Sequence, residues 1–334
     1  MYNRVNQILE QYPLAVNQTG KGRGATICDT DQGLKIIKEY NGSEARADFL
    51  YKVLAFLREN GQKRVDCIVK TTQGRTIAVD ADETAYLMRD WYEGRECDAK
   101  SREDILRAVS QLAQLHTILR RYQEEIPDFL KVRPDALLLE NQKHSRELKK
   151  VKNYIRNKKK KNDFEMEFMR RCNSFLTQGD EVIRLQNAEI EKAQNQSAAN
   201  SVYGICHGDF NHHNVLFSRE GVAILNFERA IYDVQVSDLS NFMRKIMEKH
   251  NWNTGLGMEL LQAYEKKRAL SDDEKKQLYI RLAYPEKFWK ISNHYYNTSK
   301  AWVCGRNMEK LSRVVEQMGA KERFLQIISS NLMF

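Results

Sequence analysis

The segment Cys206-His207-Gly208-Asp209-Phe210-Asn211-His212-His213-Asn214 sets a histidine, an aspartate and an asparagine at the spacing His-x-Asp-x-x-x-x-Asn, and Asn226-Phe227-Glu228 follows it. A carboxylate and an amide oxygen in one loop are what phosphoryl transfer asks of a protein. The carboxylate orients an acceptor hydroxyl and takes its proton, while oxygen ligands hold magnesium across the phosphates. Asp209 is the candidate base and Asn214 a neutral magnesium ligand. His207 belongs to the same catalytic set as a brace for the loop. The second metal ligand is ordinarily an aspartate before Phe on the following strand, and Asn226 stands there. Its amide oxygen can coordinate, but it forfeits a full negative charge beside a divalent cation, which weakens retention of Mg2+. Glu228 lies two residues on, on the same side of an extended backbone, and could share the ion directly or through water. The alternative for Glu228 is a structural salt bridge, with Arg229 or Arg244. His212 and His213 are neighbours that diverge on extended backbone and lack helical His-x-x-x-His spacing, so they read as loop-shaping rather than as transition-metal ligands.

Several elements must position this loop. The apolar run 202–206 precedes it, and residues 215–217, a Ser-Arg-Glu-Gly turn and residues 222–225 read as a hairpin. Asp238 then caps an apolar-periodic helix through Phe242 and Met243. Upstream, Gly20, Gly22 and Gly24 alternate through 19–27 and suit a strand-turn-strand whose backbone approaches phosphates. Residues 34–38 form the next strand candidate. Within it Ile36 and Lys38 share a face under a period of two, and Lys35 points the other way. A one-faced helix over 43–60 carries Phe49, Leu50, Val53, Leu54 and Leu57. Strand-like runs follow at 65–71, 75–79 and 86–91. An amphipathic helix over 102–121 has Ile105, Leu106, Val109, Leu112, Ala113, Leu115 and His116 on its inner face.

The 334 residues suit two lobes, and the formal net charge is +9. Much of the excess lies in a helical stretch, 143–171, that includes Lys149-Lys150, Arg156 and Lys158-Lys159-Lys160-Lys161. It reads as a solvated helical hairpin or as a surface for an anionic partner. Nucleic acid ranks last, because aromatic residues are not interleaved with the basic ones. No long apolar run marks a signal peptide or a membrane span, so synthesis in the cytosol is expected. The six cysteines are scattered without paired spacing and read as reduced, buried thiols.

At the loop, hairpin and Asn226 strand the chain resembles the aminoglycoside phosphotransferase and choline kinase branch of the protein-kinase-like fold. Its C-terminal string resembles, more narrowly, the CotS-type spore coat proteins of endospore-forming bacteria. That string comprises Tyr284-Pro285-Glu286-Lys287-Phe288-Trp289-Lys290-Ile291, Asn293-His294-Tyr295-Tyr296-Asn297 and Lys300-Ala301-Trp302. The resemblance implies an α+β, bilobal fold: a small β-rich N-lobe over 1–93 and a large, mainly helical C-lobe over 94–334. The C-lobe would hold the catalytic loop at 206–230 and a basic helical insert over about 138–195. ATP and Mg2+ would be the cofactors. Gly22, Gly24 and Lys38 would meet the phosphates, Glu44 or Asp48 would pair with Lys38, and Met88 would lie where backbone meets an adenine edge. His116 would support the catalytic loop, and Trp289, Tyr295, Tyr296 and Trp302 would form either a substrate wall or core. The implied setting is the spore coat. The partners would be other coat proteins or an anionic coat component, with a small-molecule or coat hydroxyl as phosphate acceptor. The alternative is a catalytically degenerate, kinase-like scaffold.

Overall fold

A computed structural model describes residues 2–22, 24–195, 202–297 and 303–331. In chain order its elements begin α1 (Tyr2–Leu9), β1 (Val16–Gly22), β2 (Ala25–Thr30), β3 (Gly33–Glu39), α2 (Glu44–Glu59), β4 (Ala78–Val79), β5 (Ala85–Asp90), β6 (Arg95–Glu96) and α3 (Arg102–Leu119). They continue with α4 (Ala136–Arg156), α5 (Asp163–Asn195), β7 (Tyr203–Cys206), β8 (Val215–Ser218), β9 (Gly221–Ile224), β10 (Ile231–Val234), α6 (Val236–Lys249), α7 (Thr254–Glu265), α8 (Asp272–Ala283), α9 (Glu286–Asn297), α10 (Val303–Glu316) and α11 (Met318–Asn331). The class is α+β, and the chain divides into two compact units. The first holds 1–126, 205–231 and 266–268; the second holds 127–204, 232–265 and 269–334.

In the first unit the strands form an antiparallel sheet in the order β1-β2-β3-β5-β4. Its apolar face buries Ile8, Leu9, Tyr12, Cys28, Ile37, Ala78 and Met88 together. The helix read at 43–60 is α2. The Ser43 side chain caps it by accepting from the Arg46 N–H, and Phe49, Leu50, Val53, Leu54 and Leu57 are buried. The run 65–71 differs from the reading as a regular strand. Val65 bridges Ile224 in parallel and Ile68 bridges Arg89 in antiparallel fashion, with a Cys67 N–H to Val65 carbonyl bond of 2.8 Å between them. That three-residue turn at Asp66 breaks the ladder and carries the segment from one neighbour to another. β6, β8 and β9 form a second small sheet, whose β8–β9 hairpin sits where the sequence placed it.

In the second unit α4 and α5 form the helical hairpin read from the lysine-rich stretch, and the four lysines occupy its turn. Phe288 of α9 lies in the hairpin's core, and Trp289, Tyr295 and Tyr296 pack half-buried against it. Phe288 stacks on Phe168 and Phe175, Tyr295 on Phe164, and Trp289 on His144 at 3.3 Å between ring centroids. Of the two readings of these aromatics the structure favours packing; Trp302 lies outside the described residues. α6 begins at Val236, two residues before the expected start, so Asp238 sits in its first turn rather than at its cap. Cys28, Cys67, Cys97, Cys172 and Cys206 are buried free thiols. Among the described residues no helix is long and apolar enough to cross a membrane.

Candidate functional site

The first unit contains every residue singled out for chemistry. The loop leaves β7 through His207, which is fully buried between two backbone groups. Its Nε2 lies 2.9 Å from the Leu225 carbonyl, and its Nδ1 accepts the Asp209 N–H at 3.2 Å. This pairing selects the neutral, Nε2-protonated tautomer. Both ring nitrogens are committed to backbone, as a brace requires. Gly208 has φ +78°, and a Cβ there would lie 1.8 Å from the Arg229 carbonyl oxygen, so only glycine fits the crossing. Asp209 is half-buried, and its Oδ1 accepts from Asn211 Nδ2 at 3.1 Å. Asn211 Oδ1 accepts the His213 N–H at 2.9 Å and so caps the turn that carries Asn214. The paired rings of His212 and His213 stand beside Glu96, whose carboxylate is 2.5 Å from His213 Nδ1.

Asn214 donates through Nδ2 to the Asp209 carbonyl at 2.8 Å. Its Oδ1 accepts from Asn226 Nδ2 at 2.7 Å, so the two expected metal positions are bonded to each other. Asn226 takes the left-handed conformation at φ +67°, which asparagine tolerates, and its N–H donates to Asp66 Oδ2 at 2.8 Å. Asp66 is buried. Burial pushes its carboxyl up to about 6, against the opposing pull of Arg89 and the Asn226 N–H. Arg89 reaches Asp66 Oδ2 at 2.9 Å and Glu228 Oε1 at 2.6 Å. Arg46 donates to the carbonyls of Glu228 and Ala230.

Lys38 shares its β3 face with Ile36, as the strand period indicates, and its Nζ is 3.8 Å from Glu228 Oε1. Lys35 points the other way, to Asp90 at 2.9 Å and the Gln32 carbonyl at 2.6 Å. The acid beside Lys38 is therefore Glu228 rather than Glu44 or Asp48. Glu44 is held by Arg75 through two bonds of 2.9 and 2.8 Å, and Asp48 accepts from the Thr76 hydroxyl at 2.7 Å. The salt-bridge reading of Glu228 holds with different partners: Arg89 and Lys38 take the place of Arg229 and Arg244. Met88 is also corrected. It is fully buried in mid-strand and its carbonyl accepts the Val69 N–H at 2.9 Å, so it offers no such edge to an adenine. Gly22 ends β1 opposite Ala25, and Gly24 takes φ +67° in the β1–β2 turn. Sequence reasoning missed Asp66, Arg89 and Arg46. The available signal for the first two was a charge within an apolar run, Val65-Asp66-Cys67-Ile68-Val69 and Leu87-Met88-Arg89.

As arranged, the Asn214–Asn226 pair does not present two oxygens to a magnesium ion. The Asn214 oxygen is taken, Asn226 presents N–H where a ligand oxygen is needed, and the Glu228 charge is met by Arg89. Turning the Asn226 amide over would set two oxygens about 2.7 Å apart, repulsive without a cation between them.

The family model described as "Spore coat putative kinase YutH" matches residues 5–328. Spore coat protein S of Bacillus subtilis (strain 168) is 26% identical over 342 residues, covering 96% of this chain and 92% of that one. Among solved structures, an aminoglycoside phosphotransferase from Alicyclobacillus acidocaldarius superposes with TM-score 0.83 at 18% identity, over 98% of this chain and 96% of the other. Amicoumacin kinase hAmiN, in complex with AMP-PNP, Ca2+ and Ami, superposes with TM-score 0.60 at 15% identity, over 96% and 92%. The fold is thus kinase-like, as the loop and hairpin implied.

Proposed function

We propose, from the premise that this chain belongs to the YutH family of spore coat proteins, that it is a coat component built on a kinase-like body whose metal-dependent phosphoryl transfer has faded. One observation carries the reading: the 2.7 Å bond from Asn226 Nδ2 to Asn214 Oδ1. A hydrogen bond between two neutral amides occupies the place where two ligand oxygens would share a divalent ion. In this reading a nucleotide would meet Lys38 and the Gly22–Gly24 turn with its phosphates, with 1–93 acting as the small lobe. The complex of hAmiN with AMP-PNP supports ATP as the ligand class.

A second reading rests on Asp209. Its carboxylate keeps the loop position of a base, oriented by Asn211, and supports ATP-dependent phosphorylation of a small-molecule or coat hydroxyl. Coat association itself is assigned to the basic hairpin. Lys149 and Lys158 are paired with Asp180 and Glu165, while Lys150, Arg156, Lys159 and Lys160 are exposed to an anionic coat partner.

Calorimetric titration of ATP with and without Mg2+ tests the reading. Wild-type affinity should respond little to Mg2+, whereas Asn226→Asp should gain about tenfold, ~1.4 kcal/mol, from the ion. Magnesium-dependent turnover by the wild type that vanishes in Asp209→Ala would overturn the first reading and establish the second.

A further inference from the structure

The turn that carries Asn226 and Glu228 is tethered on several sides. Arg89 Nη2 lies 2.6 Å from Glu228 Oε1, and Nη1 lies 2.9 Å from Asp66 Oδ2. The same Asp66 oxygen accepts the Asn226 N–H at 2.8 Å. Arg46 holds two carbonyls of the turn, at Glu228 and Ala230. The Arg89 side chain is 4% exposed, and a guanidinium keeps its proton at any ordinary pH, so a permanent positive charge is fixed beside the Glu228 carboxylate. Among the described residues, Arg89 Nε is buried with no protein acceptor. A buried ion pair left incomplete in this way is a poor source of stability, so it is better explained by what it positions.

We propose that Arg89 is the resident cation of this site, a positioning residue that holds Glu228 where a divalent ion would otherwise do so. The site's ligand is accordingly a phosphate-bearing anion taken without a divalent metal. Lys38, whose side chain is 42% exposed, is the ammonium available to meet it. This inference rests on the kinase-like reading of the site and names what replaces the metal in it.

The probe is Mn2+ alone, followed by electron paramagnetic resonance on the full chain without nucleotide. With Arg89 in place, Glu228→Gln should leave the weak Mn2+ affinity of the wild type unchanged, because Glu228 Oε1 is already engaged by Arg89 and Lys38. Asp66→Asn/Arg89→Met removes both buried charges and keeps an acceptor for the Asn226 N–H. It should raise Mn2+ affinity about tenfold or more, and adding Glu228→Gln should abolish the gain. A folded double variant with unchanged Mn2+ affinity overturns the proposal. If the double variant does not fold, the single variant decides: loss of wild-type Mn2+ binding on Glu228→Gln overturns the proposal, and no change supports it. Failure of the broader reading would appear separately, as Mg2+-dependent ATP turnover by the wild type.

Discussion

Asn226 and Asn214 illustrate how one atom changes a site. An aspartate at 226 would face the Asn214 oxygen with like partial charges and call for a cation, whereas the amide supplies its own N–H and bonds to that oxygen at 2.7 Å. His207 acts at the same scale through backbone. Replacing it by Phe leaves the Leu225 carbonyl and the Asp209 N–H buried and unpaired, which should cost ~1–3 kcal/mol for each group in urea denaturation. Two glycines separate strain from collision. Gly24→Ala meets open space at φ +67° and should cost only ~1–2 kcal/mol, read as a small drop in the urea midpoint. Gly208→Ala drives a methyl into the Arg229 carbonyl and should abolish the native loop, seen as loss of cooperative unfolding. The loop pattern was legible because its residues are close in sequence. Asp66 and Arg89 were not, since their meaning comes from partners as distant in the chain as Glu228.

Each element shows its own balance between periodicity and tertiary demand. α2 and α3 were readable from apolar spacing, and the structure adds their caps, Ser43 and Ser101. The run 65–71 was not, because the turn at Asp66 breaks its alternation to serve the site. The α4–α5 hairpin depends on Glu165, which is 1% exposed and accepts from Lys158 at 2.5 Å, the Asn162 N–H at 3.1 Å and the Tyr296 hydroxyl at 3.1 Å. Burial pushes its carboxyl upward, yet these bonds outweigh it and hold the group below its ordinary 4.5. A depressed carboxylate contributes stability that is fully present above 4.5 and is lost as pH falls through the folded value. Glu165→Gln should therefore lower the melting temperature clearly at pH 7 and progressively less as the pH drops below 4.5. Phe288→Ala should cost ~3–5 kcal/mol and expose the turn at 157–162 to limited proteolysis, because Phe288 stacks on both Phe168 and Phe175 of α5.

For the whole molecule, the formal charge of +9 matters through where it is spent. Several cations of the hairpin are engaged internally, and the exposed remainder sets long-range attraction to polyanions. Lys150→Glu/Lys159→Glu/Lys160→Glu should weaken binding to a poly-glutamate probe and flatten its salt dependence, with melting temperature little changed; equal binding by the variant would remove the coat-docking role of the hairpin. The sequence by itself determined the kinase-like body, the spore-coat family, the order of loop, hairpin and metal position, and the face of Lys38. The body and the family came through a resemblance carried by contiguous residues, and the order and the face are written in local spacing. Tertiary structure alone decided that Glu228 stands beside Lys38, that Arg89 and Asp66 hold the Asn226 turn, that Met88 is sealed in mid-strand, and that the α9 aromatics pack in and against the hairpin's core. Those outcomes depend on which distant segments share a buried space, where a charge must find its partner and a ring its neighbour, and chain order does not encode that proximity.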